Sequence, residues 1–82
     1  MNCRQIERTV LDHLGFCVDG TMIEDYVAEY IMEQGLATEN GCRIEDELRW
    51  HTVYYNVSIF DKEYDEDGDL IEYQFEIDSI DF

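Results

Sequence analysis

The chain has 82 residues, room for one small domain spanning 1–82 and no more. Its 45% hydrophobic content, with six Tyr, four Phe and one Trp, excludes the disordered class, which is poor in such residues. Twenty-one Asp and Glu against five Lys and Arg give a net charge of −16, which argues against direct contact with nucleic-acid phosphates.

Residues 2–15 predict a first helix. Cys3, Ile6, Val10, Leu14 and Cys17 recur at steps of three and four, with Leu11 beside them, and Gly15 fits a C-cap. "CVDGT" is then a turn. In the second helix Thr21 and Glu24 match an S/T-x-x-E capping box, and Ile23, Tyr26, Val27, Tyr30 and Ile31 form the apolar stripe. Gly35 terminates it, with Leu36 placed for the accompanying apolar contact. The outer row, Asp25, Glu29 and Glu33, repeats every four residues with no lysine to relieve it. Like charges at that spacing destabilise a helix by about 0.2–0.5 kcal/mol per pair, so helix stability alone does not account for them.

"ENG" at 39–41 is a turn. "CRIEDELRW" after it reads as a short strand or one turn of helix, the strand being the better fit. From residue 52 the period becomes two. Val53, Tyr55, Val57 and Ile59 alternate with polar neighbours, and Ile71, Tyr73, Phe75 and Ile77 do the same. A two-residue loop at Asp67-Gly68 would set Ile59 opposite Glu76, mixing apolar and acidic side chains on one face. A three-residue loop, Glu66-Asp67-Gly68, sets Ile59 opposite Phe75 and Val57 opposite Ile77, and puts Gly68 where a left-handed residue is needed. The polar face then pairs Lys62 with Glu72, Ser58 with Glu76 and Asn56 with Asp78. The expected class is α+β: two N-terminal helices packed on a two- to three-stranded antiparallel sheet that ends in a long acidic β-hairpin.

The hairpin tip, "KEYDEDGDLIEYQ", opens like a calcium loop at Glu63, Asp65, Asp67 and Gly68. The pattern then breaks: Ile71 and Gln74 occupy the ninth and twelfth positions, and the flanks alternate like strands rather than helices. A small cation-binding module using residues 63–74 is therefore an alternative reading rather than the first. His13, Cys17, Cys42 and His51 lack paired zinc-ligand spacing, so neither metal nor cofactor is expected. The odd cysteine count, Cys3, Cys17 and Cys42, fits reduced thiols in a cytoplasm better than a disulfide framework. "MNCRQIERTV" carries no apolar signal-type core, and no apolar run approaches membrane-spanning length. No phosphate loop, nucleophile elbow or hydrolase motif appears, and an enzyme is not expected.

The acids are segregated. Residues 1–18 are neutral overall, residues 19–42 hold six acids and no base, and residues 63–82 hold nine acids and no base. Spaced about 6 Å apart along a helix or about 6.8 Å along a strand face, such rows imitate the charges of a nucleic-acid backbone. In length, charge and mixed α/β pattern the chain resembles the small acidic inhibitors encoded by phages and mobile elements, including anti-CRISPR and anti-restriction proteins. No motif is shared, so no residue role is carried over by alignment. The resemblance implies a DNA mimic that sits on a CRISPR effector or restriction enzyme, in the host-cell cytoplasm if phage-encoded. Acidic immunity proteins that neutralise basic nuclease toxins are similar for the same physical reason.

The expected partner is thus a basic nucleic-acid-binding protein or complex, with no direct nucleic acid and no membrane. Asp25, Glu29 and Glu33 would line one ridge. Glu63, Asp65, Glu66, Asp67, Asp69, Glu72, Glu76 and Asp78 would line the hairpin and its outer face, with Tyr54, Phe60 and Tyr64 as apolar anchors. A monomer or dimer is expected, the carboxylates along the strand edge opposing a dimer formed there.

Overall fold

Asn2 fixes the start of the first helix in the computed structural model, which describes residues 1–82. Its side chain accepts the Gln5 N–H at 2.9 Å while the Gln5 side chain accepts the Asn2 N–H at 2.8 Å, a reciprocal cap. Helix α1 runs Cys3–Leu14 and stops at Gly15, whose φ of 80° is left-handed. Helix α2 runs Gly20–Glu33. The capping box expected at Thr21 does not form. Asp19 is the N-cap instead, its carboxylate accepting the Thr21 N–H at 2.9 Å, because an acid two residues upstream serves that N–H before Thr21 can cap anything. The earlier start is also a packing requirement: a Cβ on Gly20 would lie 2.5 Å from the Cys3 carbonyl oxygen. The Gly20 N–H donates to Glu7 Oε2 at 2.9 Å, so the two helices are tied together at the start of α2. Gly35, with φ 65°, turns the chain into a short 3-10 segment, Leu36–Thr38, and Leu36 packs against the core. No helix is long and apolar enough to cross a membrane.

Strands β1 (Gly41–Leu48), β2 (His51–Tyr64) and β3 (Leu70–Asp81) form one antiparallel sheet in the order β1-β2-β3, which makes the fold α+β. The ambiguous segment after residue 41 is therefore strand, and it buries Ile44. Val53, Tyr55, Val57 and Ile59 of β2 form the centre of the inner face. They meet Ile44, Ile77 and Ile80 of the neighbouring strands, Ile6 and Val10 of α1, and Ile23, Val27 and Ile31 of α2. Each such aliphatic side chain, fully buried, contributes about 1.5–3 kcal/mol. Tyr55 is the one polar-tipped side chain of this core, and its hydroxyl donates to Asp46 Oδ2 at 2.8 Å. Burial, reinforced by that carboxylate, holds the phenol far above its ordinary pKa, so it remains a neutral donor.

The register agrees with the three-residue loop at its centre: Val57 faces Ile77, Ser58 faces Glu76 and Ile59 faces Phe75. Asp65 and Asp69 close the loop through an N–H···O=C bond of 2.9 Å, and Gly68 has φ 86°. Two expected pairs are corrected. Asn56 faces Ser79 rather than Asp78, and Glu63 rather than Lys62 faces Glu72. Asp78 is an extra residue on β3, and Asp61 and Lys62 together stand against Tyr73, with Asp61 at φ 51°. A strict period of two does not anticipate such bulges.

Strand β1 pairs with β2 only as far as Ser58, so residues 59–64 pair with β3 alone. This two-stranded arm, about 20 Å long at strand rise, makes the molecule 48 × 21 × 17 Å. Ile71, expected on the covered apolar face, is 63% exposed: a third register shift, between Glu63 and Tyr64, leaves it as an extra residue on β3, out on the two-stranded arm. At β1 the sheet edge is covered differently: the Tyr26 hydroxyl donates to the Glu45 carbonyl at 2.7 Å, and Asp46 Oδ1 accepts the Glu47 N–H at 2.8 Å.

Candidate functional site

The arm gathers most of the expected acidic residues. Glu63, Asp65, Glu66, Asp67, Asp69 and Glu72 are all exposed within it, and Lys62 is its only base. Lys62 does not neutralise them. Its Nζ turns back to the end of the 3-10 segment, 3.1 Å from the Thr38 carbonyl, 2.5 Å from that of Glu39 and 3.4 Å from Asn40 Oδ1. Those carbonyls form the negative end of the turn, so the ammonium anchors the arm's base while the tip keeps its charge.

At the tip, Asp65 Oδ1 accepts the N–H groups of Asp67 at 2.9 Å and Asp69 at 2.8 Å. One carboxylate thus shapes the loop, and Glu66, Asp67 and Asp69 project from it. No three His, Cys, Asp or Glu side chains anywhere in the molecule come together as a metal-binding group. His13 stacks on Phe82 with ring centroids 4.3 Å apart, His51 tilts against Phe16, and all three cysteines are free.

The acidic surface continues from the arm onto the outer face of the sheet. Glu72 and Glu76 alternate with inward residues along β3, and Asp78 follows them, held by a hydrogen bond from the Ser58 hydroxyl. Beyond Asp78 the face is neutralised. Arg43 Nη1 pairs with Asp81 and donates to Asn56 Oδ1 at 3.0 Å, while Asn56 Nδ2 donates to Asp81 Oδ2 at 3.1 Å. Hydrogen bonding from Asn56, with that of Arg43, holds the Asp81 carboxyl below its ordinary pKa. Of the 21 acidic side chains, only Asp81 and Glu76 enter ion pairs, the latter with the Met1 amine.

Asp25, Glu29 and Glu33 are exposed but belong to a different surface. Helix α2 buries Ile23, Val27 and Ile31 against the sheet, and at 100° per residue the three acids lie directly opposite that stripe. They point away from the sheet on one side of the molecule, whereas Glu76 and Asp78 point away on the other. The helix ridge and the arm are therefore two acidic surfaces.

The anchors also divide. Phe60 and Tyr64, 41% and 53% exposed, stand on the arm among its carboxylates. Tyr54 is half-buried on the outer face and already engaged: its hydroxyl donates to Glu45 Oε1 at 3.1 Å, and the Arg43 guanidinium lies 4.5 Å over its ring. The acceptor carboxylate pushes the Tyr54 phenol above its ordinary pKa. Ile71 joins Phe60 and Tyr64 as an exposed apolar group that alternation alone places in the core. Trp50, in the β1–β2 turn at the opposite end from the arm, is 95% exposed. The sequence signal for it was a Trp between Arg49 and His51 just after the last apolar residue of a strand.

No protein-family model, curated protein or solved structure matches the chain.

Proposed function

We propose that the protein is an inhibitor that binds a basic nucleic-acid-handling protein, a CRISPR effector or restriction enzyme in the cytoplasm of a host cell, and blocks the access of DNA or RNA. The observation that carries this reading is the arm: a narrow two-stranded projection bearing seven exposed carboxylates, those of Asp61, Glu63, Asp65, Glu66, Asp67, Asp69 and Glu72, whose single base is folded back to its root. A groove built to hold a polyanion offers Lys and Arg at close spacing, and an acidic rod of strand-pair width presents the complementary charge. Docking would also relieve the repulsion among the arm's own carboxylates, so part of the binding energy is already stored in the free protein. Phe60, Tyr64 and Ile71 supply apolar contact among the charges. Asp25, Glu29 and Glu33 are assigned the lesser role of long-range steering, since they face away from the outer sheet surface.

The test is a pull-down from bacterial lysate at low and at high salt, followed by competition between the captured protein's nucleic acid and this chain. Capture of a basic effector or restriction enzyme, released by salt and displaced by DNA or RNA, is the expected result. Capture of a nuclease toxin would move the protein to the immunity class. Capture of neutral proteins only, or affinity indifferent to ionic strength, would end the reading.

A further inference from the structure

The two edges of the sheet are treated differently, and the difference exposes a site. The Ile59 N–H donates to the Asn40 carbonyl at 2.9 Å, so Ile59 turns its main-chain groups toward β1. Antiparallel alternation then turns Ser58 and Phe60 toward β3, where they meet Glu76 and Gln74. The main-chain N–H and C=O groups of Tyr73 and Phe75 consequently point outward from the sheet. On β1 two of the matching outward groups are occupied, the Glu45 carbonyl by the Tyr26 hydroxyl and the Glu47 N–H by the Asp46 carboxylate. On β3 the Met1 amine takes the Ile77 carbonyl at 2.5 Å, which ends the open stretch there. No side chain bonds to the main chain of Tyr73 or Phe75.

A groove of about 410 Å³ runs beside that open edge. The half-buried side chains of Tyr73 and Phe75 line it together with Met1 and Ile77, and the carboxylates of Glu24 and Glu76 flank it. Unpaired strand groups, an apolar floor and anionic walls therefore coincide.

We propose that the β3 edge at Tyr73–Phe75 accepts an extended segment of the partner as a fourth strand, with basic residues at alternate positions. The proposal rests on the reading of the protein as a binder of basic proteins and names how one segment of that partner is held. Main-chain hydrogen bonds to Tyr73 and Phe75 supply affinity, and alternate side chains supply selectivity. Residues opposite Tyr73 and Phe75 share their face and are apolar. The residues flanking them fall on the outer face, about 6.8 Å apart, beside Glu72, Gln74 and Glu76. A second copy of this chain is a poor occupant. Antiparallel pairing of two β3 strands about Phe75 would set Glu72 opposite Asp78 twice, and like charges directly opposed are destabilising.

The probe is a synthetic nine-residue peptide alternating lysine and valine, compared with the same peptide carrying N-methyl groups on its valines. Charge is identical in the two; only the main-chain donors that would face β3 are lost. Binding by the parent at least about tenfold tighter than by the methylated peptide is expected, with exchange of the Tyr73 and Phe75 amide protons slowed at least about tenfold in the complex. Equal affinities, or unchanged exchange at both amides, would overturn strand addition. Equal affinities that fall with salt would do so while leaving the charge-based inhibitor reading intact. Failure of the lysate experiment would remove that reading without altering the peptide result.

Discussion

Glu63 and Glu72 face each other across the β2–β3 ladder, two exposed carboxylates directly opposed, with the neighbouring ammonium of Lys62 turned away toward Thr38, Glu39 and Asn40. A sequence tuned for stability alone would put opposite charges at that pair. The replacement Glu72→Lys is therefore expected to raise stability by about 0.2–1 kcal/mol, the range for favourable cross-strand pairs, while weakening capture of the basic partner. Urea denaturation midpoints read the first effect and competition with nucleic acid the second. A variant that gains stability and keeps full binding would remove the arm from the interface.

Gly20 and Gly68 separate two kinds of glycine requirement. Gly68 has φ 86°, and a Cβ added there would find nothing within 4 Å, so Gly68→Ala meets backbone strain only, about 1–2 kcal/mol. At Gly20 the added carbon would lie 2.5 Å from the Cys3 carbonyl oxygen, and backbone must move. Gly20→Ala is expected to cost more than Gly68→Ala, by parting α2 from α1 and stretching the Gly20–Glu7 hydrogen bond. Thermal unfolding of the two variants gives the order directly.

Tyr55→Phe removes the hydroxyl that satisfies Asp46 and leaves the rest of the core side chain in place. The expected loss is about 1–3 kcal/mol, the penalty of a partly buried acceptor left without its donor. Urea unfolding against the parent measures it. A loss near zero would mean that water replaces the phenol at Asp46.

Asp81 gives the fold a specific acid sensitivity. Its pKa in the folded chain lies below the ordinary 3.8, through the Asn56 and Arg43 hydrogen bonds. The stabilisation from this lowering is fully present above the unfolded value and disappears as pH falls through the folded one. Asp81→Asn should therefore be less stable than the parent at neutral pH. The gap should start to narrow near about pH 4 and close at lower pH. Unfolding curves at a series of pH values test this; a gap constant through the acid range would assign the effect to geometry rather than ionisation.

Much of this was legible from spacing. The three-residue loop and its central pairs were readable because Ile59 has only one register that keeps apolar groups together, and Gly68 independently marks the turn. The three irregularities, at Asp61, Ile71 and Asp78, were not, since an extra residue leaves local composition unchanged and shows itself only in pairing. Thr21 was a fair cap on sequence, but Asp19 lies closer to the helix start that the Gly20–Cys3 contact dictates. Alternation correctly placed Val53 through Ile59 in the core. It failed at Ile71 because a register shift between Glu63 and Tyr64 leaves that residue unpaired on the arm, which a strict period of two does not anticipate. The acidic rows on α2 and on the arm were both visible; that they occupy opposite sides follows only from which face of α2 meets the sheet.

The Tyr26 and Asp46 side chains at Glu45 and Glu47 have a consequence for assembly. Open-ended fibres require every subunit to be extendable at both ends, as donor and as acceptor. On β1 the Glu45 carbonyl and the Glu47 N–H are already engaged within the chain, so ladder growth there must first displace Tyr26 and Asp46, whereas the Tyr73–Phe75 stretch of β3 has no such obstacle. The two edges are thus unequal templates, and a sheet that lengthens at β3 meets a less receptive edge at β1.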